Sequence, residues 1–184
     1  GIGATLAVRR EALEKIGGLR AVADALASDY WMAQKIARAG YLVRLIPYWI
    51  DVRLEPQTLR QYRLYELRWV RTMLLTAPAG YAGTIITHGM FWALCFLAAS
   101  HACALGWWVL GLTWLVRSLT SFLLWKFCFG IAGAASHLPL LPLHDLLTTA
   151  FWLIGFAGNK VQWGNRVFTL SRGTRILREV PIEP

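Results

Sequence analysis

The chain places Asp29 in the run Ser28-Asp29-Tyr30-Trp31-Met32-Ala33, at the start of one predicted helix, and Arg68-Trp69 on the next. A carboxylate near a helix N-terminus is held as the anion by the helix dipole and the free backbone N–H groups. Such a carboxylate can take the proton of a hydroxyl as that hydroxyl attacks an electrophile, which makes Asp29 a candidate general base. The plainer role is helix capping by Ser28 or Asp29. Arg68 carries a planar fork of donors able to neutralise a diphosphate. Trp69 offers a flat apolar face for a ring or a lipid, and an anchor in a membrane interface is the equal alternative. His88, His101, His137 and His144 show no ligand spacing, and Cys95, Cys103 and Cys128 form no CxxC pair. Neither a zinc site nor a disulfide framework is indicated.

The elements that must position these groups follow from periodicity and punctuation. Ile2, Ala4, Leu6 and Val8 alternate as in a strand, and Arg10 to Ile16 reads as a short helix stopped by Gly17-Gly18. A second helix runs from Ser28 through Ile36 to Ala39 and ends at Gly40. The stretches Tyr41–Ile46 and Trp49–Leu54 read as two further strands around Pro47. Residues 1–56 are therefore expected to form a small α/β unit, too short to hold a full nucleotide-binding domain. Residues 59–75 form a helix with Tyr62, Tyr65, Trp69 and Met73 on one stripe and Arg60, Arg63, Arg68 and Arg71 spread over the other side. Such a helix can lie in a membrane interface, aromatic stripe toward lipid, or pack on the soluble unit.

Composition favours the membrane. The chain is 57% hydrophobic and 16% charged, with mean hydropathy +0.45, unlike an ordinary soluble domain. Residues 1–80 carry 12 Lys/Arg against 7 Asp/Glu, residues 81–159 carry 2 against 1, and residues 160–184 carry 5 against 2. Two basic ends flank a nearly uncharged centre, a pattern that suits anionic headgroups and phosphate-bearing ligands better than nucleic acid. Thr84–Leu105 and Trp107–Trp125 are near the length of a bilayer crossing and read as a hairpin turning at Gly106. Arg117 interrupts the second run and should face another helix or an aqueous cleft. Residues 127–143 read as a loop or re-entrant piece, followed by a shorter apolar segment from Leu143 to Gly158. Three crossings would put the two basic ends on opposite sides. Either 127–143 also enters the membrane or the third segment does not cross.

The pattern Gly3-x5-Arg9-Arg10-x-Ala12-Leu13-x2-Ile16-Gly17-Gly18, then Asp29-Tyr30-x-Met32-Ala33 and Ala37-x2-Gly40, resembles the acceptor-side half of family 2-type glycosyltransferase domains. With the ending Trp163-Gly164-Asn165-Arg166-Val167-Phe168-x-Leu170, it resembles more specifically the ceramide glucosyltransferases of family 21 and the related bacterial hopanoid-associated enzymes. In that family an acidic pair precedes Tyr and its second member is the proposed base, which the resemblance puts on Asp29, with Tyr30 beside it. An Arg/Gln/His-x-x-Arg-Trp motif maps its end onto Arg68-Trp69. Here Ser28 stands for the first acid, Tyr65 for the first member of the second motif, and Gly164 and Asn165 for Arg and Gly in a tail motif that keeps Trp163 and Arg166. The chain contains no Asp-x-Asp, the motif that in the family holds a divalent metal against the donor diphosphate.

The resemblance implies an inverting hexosyltransferase using a nucleotide sugar, UDP-linked by expectation, with a ceramide- or hopanoid-like lipid acceptor. It implies Mg or Mn in the whole enzyme, bound by ligands outside this chain, and no nucleic-acid partner. The expected organisation is a partial GT-A-like α/β half over 1–56, an interfacial helix within 57–80, transmembrane helices over 81–159 and a basic cytoplasmic tail over 160–184. The start at Gly-Ile-Gly is read as a truncation that leaves this portion inactive by itself, in a protein of the bacterial inner membrane with its catalytic part cytoplasmic. A non-catalytic membrane scaffold retaining the acceptor half is the alternative.

Overall fold

The computed structural model describes residues 5–47, 56–131 and 133–182. The chain divides into two units: residues 1–78 together with 157–184, and residues 79–156.

In the first unit, α1 (Arg10–Lys15) ends where Gly17 and Gly18 take φ of +92° and +71°, a left-handed reversal that glycine adopts without steric cost. The Gly18 N–H bonds to the Leu13 carbonyl at 2.9 Å. A 3-10 turn over Leu19–Val22 leads to α2 (Ser28–Arg38), which stops before Gly40 at φ +90°. The helix α3 (Leu59–Thr76) opens with a reciprocal capping box between Thr58 and Gln61, a Thr-x-x-Gln signal legible in the chain.

The strands expected in residues 1–56 are not found among the described residues. Residues 5–9 and Tyr41–Ile46 have no regular structure. Positions 1–4 and Trp49–Leu54 lie outside the described residues. The sheet is instead in the expected basic tail, where β1 (Lys160–Trp163), β2 (Arg166–Leu170) and β3 (Ile176–Pro181) pair antiparallel in that order. Gly164-Asn165 forms the tight β1–β2 turn, with Gly164 at φ +58°. Alternation places Val161 and Leu170 in the core, 2% and 0% exposed.

The tail fastens both helices of interest. Thr174, fully buried, accepts hydrogen bonds at Oγ1 from the Ala27 N–H (3.3 Å) and from Trp31 Nε1 (3.2 Å), while its carbonyl takes the Leu26 N–H at 2.9 Å. The Ile176 N–H adds a bond to the Asp24 carbonyl at 2.8 Å. On α3, Arg71 donates to the carbonyls of Lys160 (2.5 Å) and Ala157 (3.3 Å). Replacing Thr174 by Val keeps shape and β-branching but strands two donors, so Thr174→Val should lower stability by about 1–3 kcal/mol. Thr174→Ser should retain most of it, as read by thermal unfolding with both variants in one detergent.

The second unit contains α4 (Pro78–Gly83), a 3-10 turn over Thr84–Thr87, α5 (Gly89–Ala99), α6 (Ala104–Leu123) and α7 (Leu141–Gly155). The expected single crossing Thr84–Leu105 is broken, because the helices over Pro78–Thr87 and Gly89–Ala99 meet at 61°. Hydropathy alone carries no sign of such a bend. The α5–α6 reversal falls at Ser100–Cys103, where His101 and Ala102 take φ of 50° and 55°, rather than at Gly106. Gly106 lies inside α6 against α5, where a Cβ would come within 2.9 Å of Leu97 Cδ1 and 3.2 Å of its Cα. Close approach of the two backbones is what requires glycine there.

α6 continues through one π-helical turn, Leu124–Cys128. Part of the expected loop is helical too: a 3-10 stretch over Ala134–Leu140 runs into α7. Among the described residues, two helical runs, Ala104–Cys128 and Ala135–Gly155, are long and apolar enough to cross a membrane. Arg117 does face a neighbouring helix, since Nε and Nη2 donate to the two oxygens of Asp145 on α7 at 3.0 and 3.1 Å.

Candidate functional site

The α3 motif and the tail motif meet. Arg68 lies one turn after Tyr65 on α3, and β1 ends with Trp163 beside it. The Arg68 guanidinium sits over the Tyr65 ring at 5.3 Å from its centroid and over the Trp163 ring at 5.2 Å. Two aromatic faces attract the cation through their ring quadrupoles and restrict its rotation. They do not consume its donors. Among the described residues Arg68 has no hydrogen-bond or ion-pair partner, so its in-plane N–H fork stays open to an anion. Tyr65, the departure from the family pattern, thus supplies one supporting face.

Trp69 is 47% exposed and lies 6.2 Å from Tyr65 between ring centroids. Met73, one turn on, is also exposed, whereas Arg68 and Arg71 are half-buried against the tail. The stripe expected to meet lipid is thus open at Trp69 and Met73 but half-buried at Tyr62 and Tyr65, and of the arginines Arg60 and Arg63 are exposed. At the start of the same helix, burial and the neighbouring Glu66 carboxylate hold the Tyr62 phenol above its usual range, so it remains a neutral donor to Glu66.

Asp29 is half-buried in the first turn of α2. The N-cap residue is Ala27, and no side chain caps the helix, so neither Ser28 nor Asp29 serves as the cap. Thr174 ties down this terminus in their place. Among the described residues the Asp29 carboxylate has no hydrogen-bond or ion-pair partner. Tyr30 packs edge-on to Trp31 at 5.3 Å and accepts a hydrogen bond from Gln34 Nε2 at 2.9 Å. Its neighbour Trp31 is the residue the tail grips. Arg166 is engaged in an ion pair with Glu179 on β3.

Sequence reasoning missed a second feature of this unit. Between α2 and the tail lies a cleft of about 370 Å³ bordered by Asp24, Trp31, Lys35, Arg172 and Arg175. Its cations were legible only as part of a basic end, because nothing local reveals that the tail folds back on α2.

The family model for glycosyl transferase family 21 matches residues 1–176. The chain belongs to glycosyl transferase family 21. Membership assigns glycosyl transfer in general, with a nucleotide-sugar donor and an acceptor. Comparison with curated proteins and with solved structures gives no match. In this family 21 chain, the described residues contain no group of three or more His, Cys, Asp and Glu side chains able to hold a metal ion. The described residues do not fit a divalent-metal site.

Proposed function

We propose that this chain carries the acceptor-activating and leaving-group-contacting part of an inverting hexosyltransferase that moves a sugar from a UDP-sugar to a membrane lipid. In the reaction, the acceptor O–H bond breaks and its proton passes to the Asp29 carboxylate as the oxygen bonds to the anomeric carbon. The bond from that carbon to the donor diphosphate breaks, and its electron pair leaves with the phosphate. Arg68 neutralises the charge that develops there. The observation that carries this reading is the guanidinium of Arg68, which lies over the rings of both Tyr65 and Trp163 and has no hydrogen-bond or ion-pair partner among the described residues.

A lipid acceptor is supported by the open Trp69 and Met73 of α3 and by the membrane-length helices. Topology supports one side for the chemistry. Since α3 and β1 belong to one folded unit, the chain between them must cross an even number of times. Crossings at Ala104–Cys128 and Ala135–Gly155, with the bent pair remaining re-entrant, meet that condition. The Arg-rich flanks favour the cytoplasmic face.

The test is transfer by the intact protein in vesicles, with UDP-glucose and either N-hexanoylsphingosine or a hopanoid polyol. A β-linked glycolipid, assigned by the anomeric proton coupling, is the expected product. An α-linked product would remove the inverting mechanism, and transfer to a water-soluble acceptor alone would remove the lipid.

A further inference from the structure

In the first unit, residues 171–175 fold over α2 and enclose with it the cleft of about 370 Å³, a size that admits one small ligand. Its walls are fixed by contacts on both sides. Gly173 packs against Trp31, where a Cβ would come within 3.3 Å of ring carbon Cζ2. The Trp31 indole N–H is held by Thr174 Oγ1 at 3.2 Å, and Arg175 forms a backbone bridge with Ala25. The Ser171 N–H closes the loop on the Arg175 carbonyl at 2.9 Å. Lys35 stands one turn beyond Trp31 on α2 and borders the same cleft.

Charge gives the cleft its character. Lys35, Arg172 and Arg175 bring three cations to it, against the single carboxylate of Asp24. Among the described residues none of these four side chains has a hydrogen-bond or ion-pair partner. Other arginines of this unit are engaged: Arg166 meets Glu179, and Arg71 donates to two backbone carbonyls. Three like charges held together by two packed elements repel one another. A phosphate monoester supplies what they lack, nearly two negative charges at neutral pH and three strong acceptor oxygens. The arginine fork matches a pair of those oxygens. A carboxylate brings one charge and two oxygens, too few for three cations.

We propose that the cleft between α2 and residues 171–175 binds a phosphate monoester, with Arg172 and Arg175 taking its oxygens from the tail and Lys35 from α2. Two sources carry this chemistry: a small soluble phosphomonoester and the head of phosphatidic acid. Bound there, the phosphate joins α2 to the tail alongside the Thr174 bonds. The site is separate in its residues from the Arg68 cluster, and its occupancy is measured without turnover.

The experiment is equilibrium binding to the intact protein in phosphatidylcholine nanodiscs, with radiolabelled glycerol 3-phosphate in one arm and dihexanoyl phosphatidic acid in the other. Each probe is set against its glycerol diester, which carries one phosphate charge. Wild type should bind the monoester of at least one arm about fivefold or more tighter than the diester, and the arm that responds identifies the source. Arg172→Gln with Arg175→Gln, both at exposed positions, should weaken Kd about tenfold or more. Arg38→Gln with Arg178→Gln removes the same charge from exposed positions that do not border the cleft, and should stay within about twofold. Lys35→Gln serves if the first pair fails to fold, and should weaken Kd about threefold or more. No binding in either arm, equal affinity for the diester, an unchanged Kd in the folded cleft variant, or equal loss in the two double variants overturns the proposal. Arg68→Lys should leave Kd unaltered. A loss there as large as that of the Arg172 and Arg175 pair would move the phosphate to the Arg68 cluster and overturn it as well.

Discussion

Asp29→Asn in the intact enzyme should reduce kcat by on the order of a hundredfold or more, with the fold unchanged. The expectation follows from what Asp29 does not do. It is not the cap of α2, because Ala27 holds that position and Thr174 from the tail takes its N–H. It forms no ion pair among the described residues. Amide for carboxylate therefore removes the proton acceptor and little else. A hundredfold is about 2.7 kcal/mol of barrier at 1.36 kcal/mol per tenfold, well above what lost helix-dipole attraction at a half-exposed site supplies. Thermal unfolding of the variant should match wild type. Turnover within about threefold of wild type would remove Asp29 from the chemistry and leave it a favourable charge on a helix end.

Arg68→Lys should be nearly as damaging, with loss of turnover on the order of a hundredfold, while Arg60→Lys on the same helix stays within about twofold. Lysine keeps the charge but replaces a rigid donor fork with a single ammonium on a flexible stem. It also replaces the guanidinium that lies over the Tyr65 and Trp163 rings. Arg60 is exposed in the first turn of α3 and serves as the measure of what surface charge alone is worth. Equal behaviour of the two variants, in detergent and in vesicles, would show that Arg68 answers lipid charge rather than a diphosphate.

The helices α1, α2, α3 and α6 were legible because their signals are local. Paired glycines stop α1, Gly40 follows α2, the period of aromatic and basic residues marks α3, and a long apolar run interrupted only by Arg117 marks α6. The Arg68 cluster was half legible: Tyr65, Arg68 and Trp69 share one helix by spacing, but nothing nearby places Trp163 against them. The tail was misjudged because its charge outweighed its alternation. Lys160-Val161-Gln162-Trp163 and Arg166-Val167-Phe168-Thr169-Leu170 around Gly164-Asn165 have the form of a hairpin. The partner that buries Val161 and Leu170 lies far away in sequence, and so does the role of Thr174. In the opposite direction, alternation at Tyr41–Ile46 suggested a strand for which the described residues supply no pairing edge.

The bonds from Ala27 and Trp31 to Thr174 join residues 147 and 143 positions apart, with the whole apolar centre between them. A ribosome makes α2 long before it makes Thr174, and it makes the bilayer helices in between. The start of α2 therefore lacks these two bonds until the last strands have been made. A chain ending short of Thr174 would contain α2 and every apolar helix but leave the Ala27 N–H and Trp31 Nε1 without the acceptor that holds them.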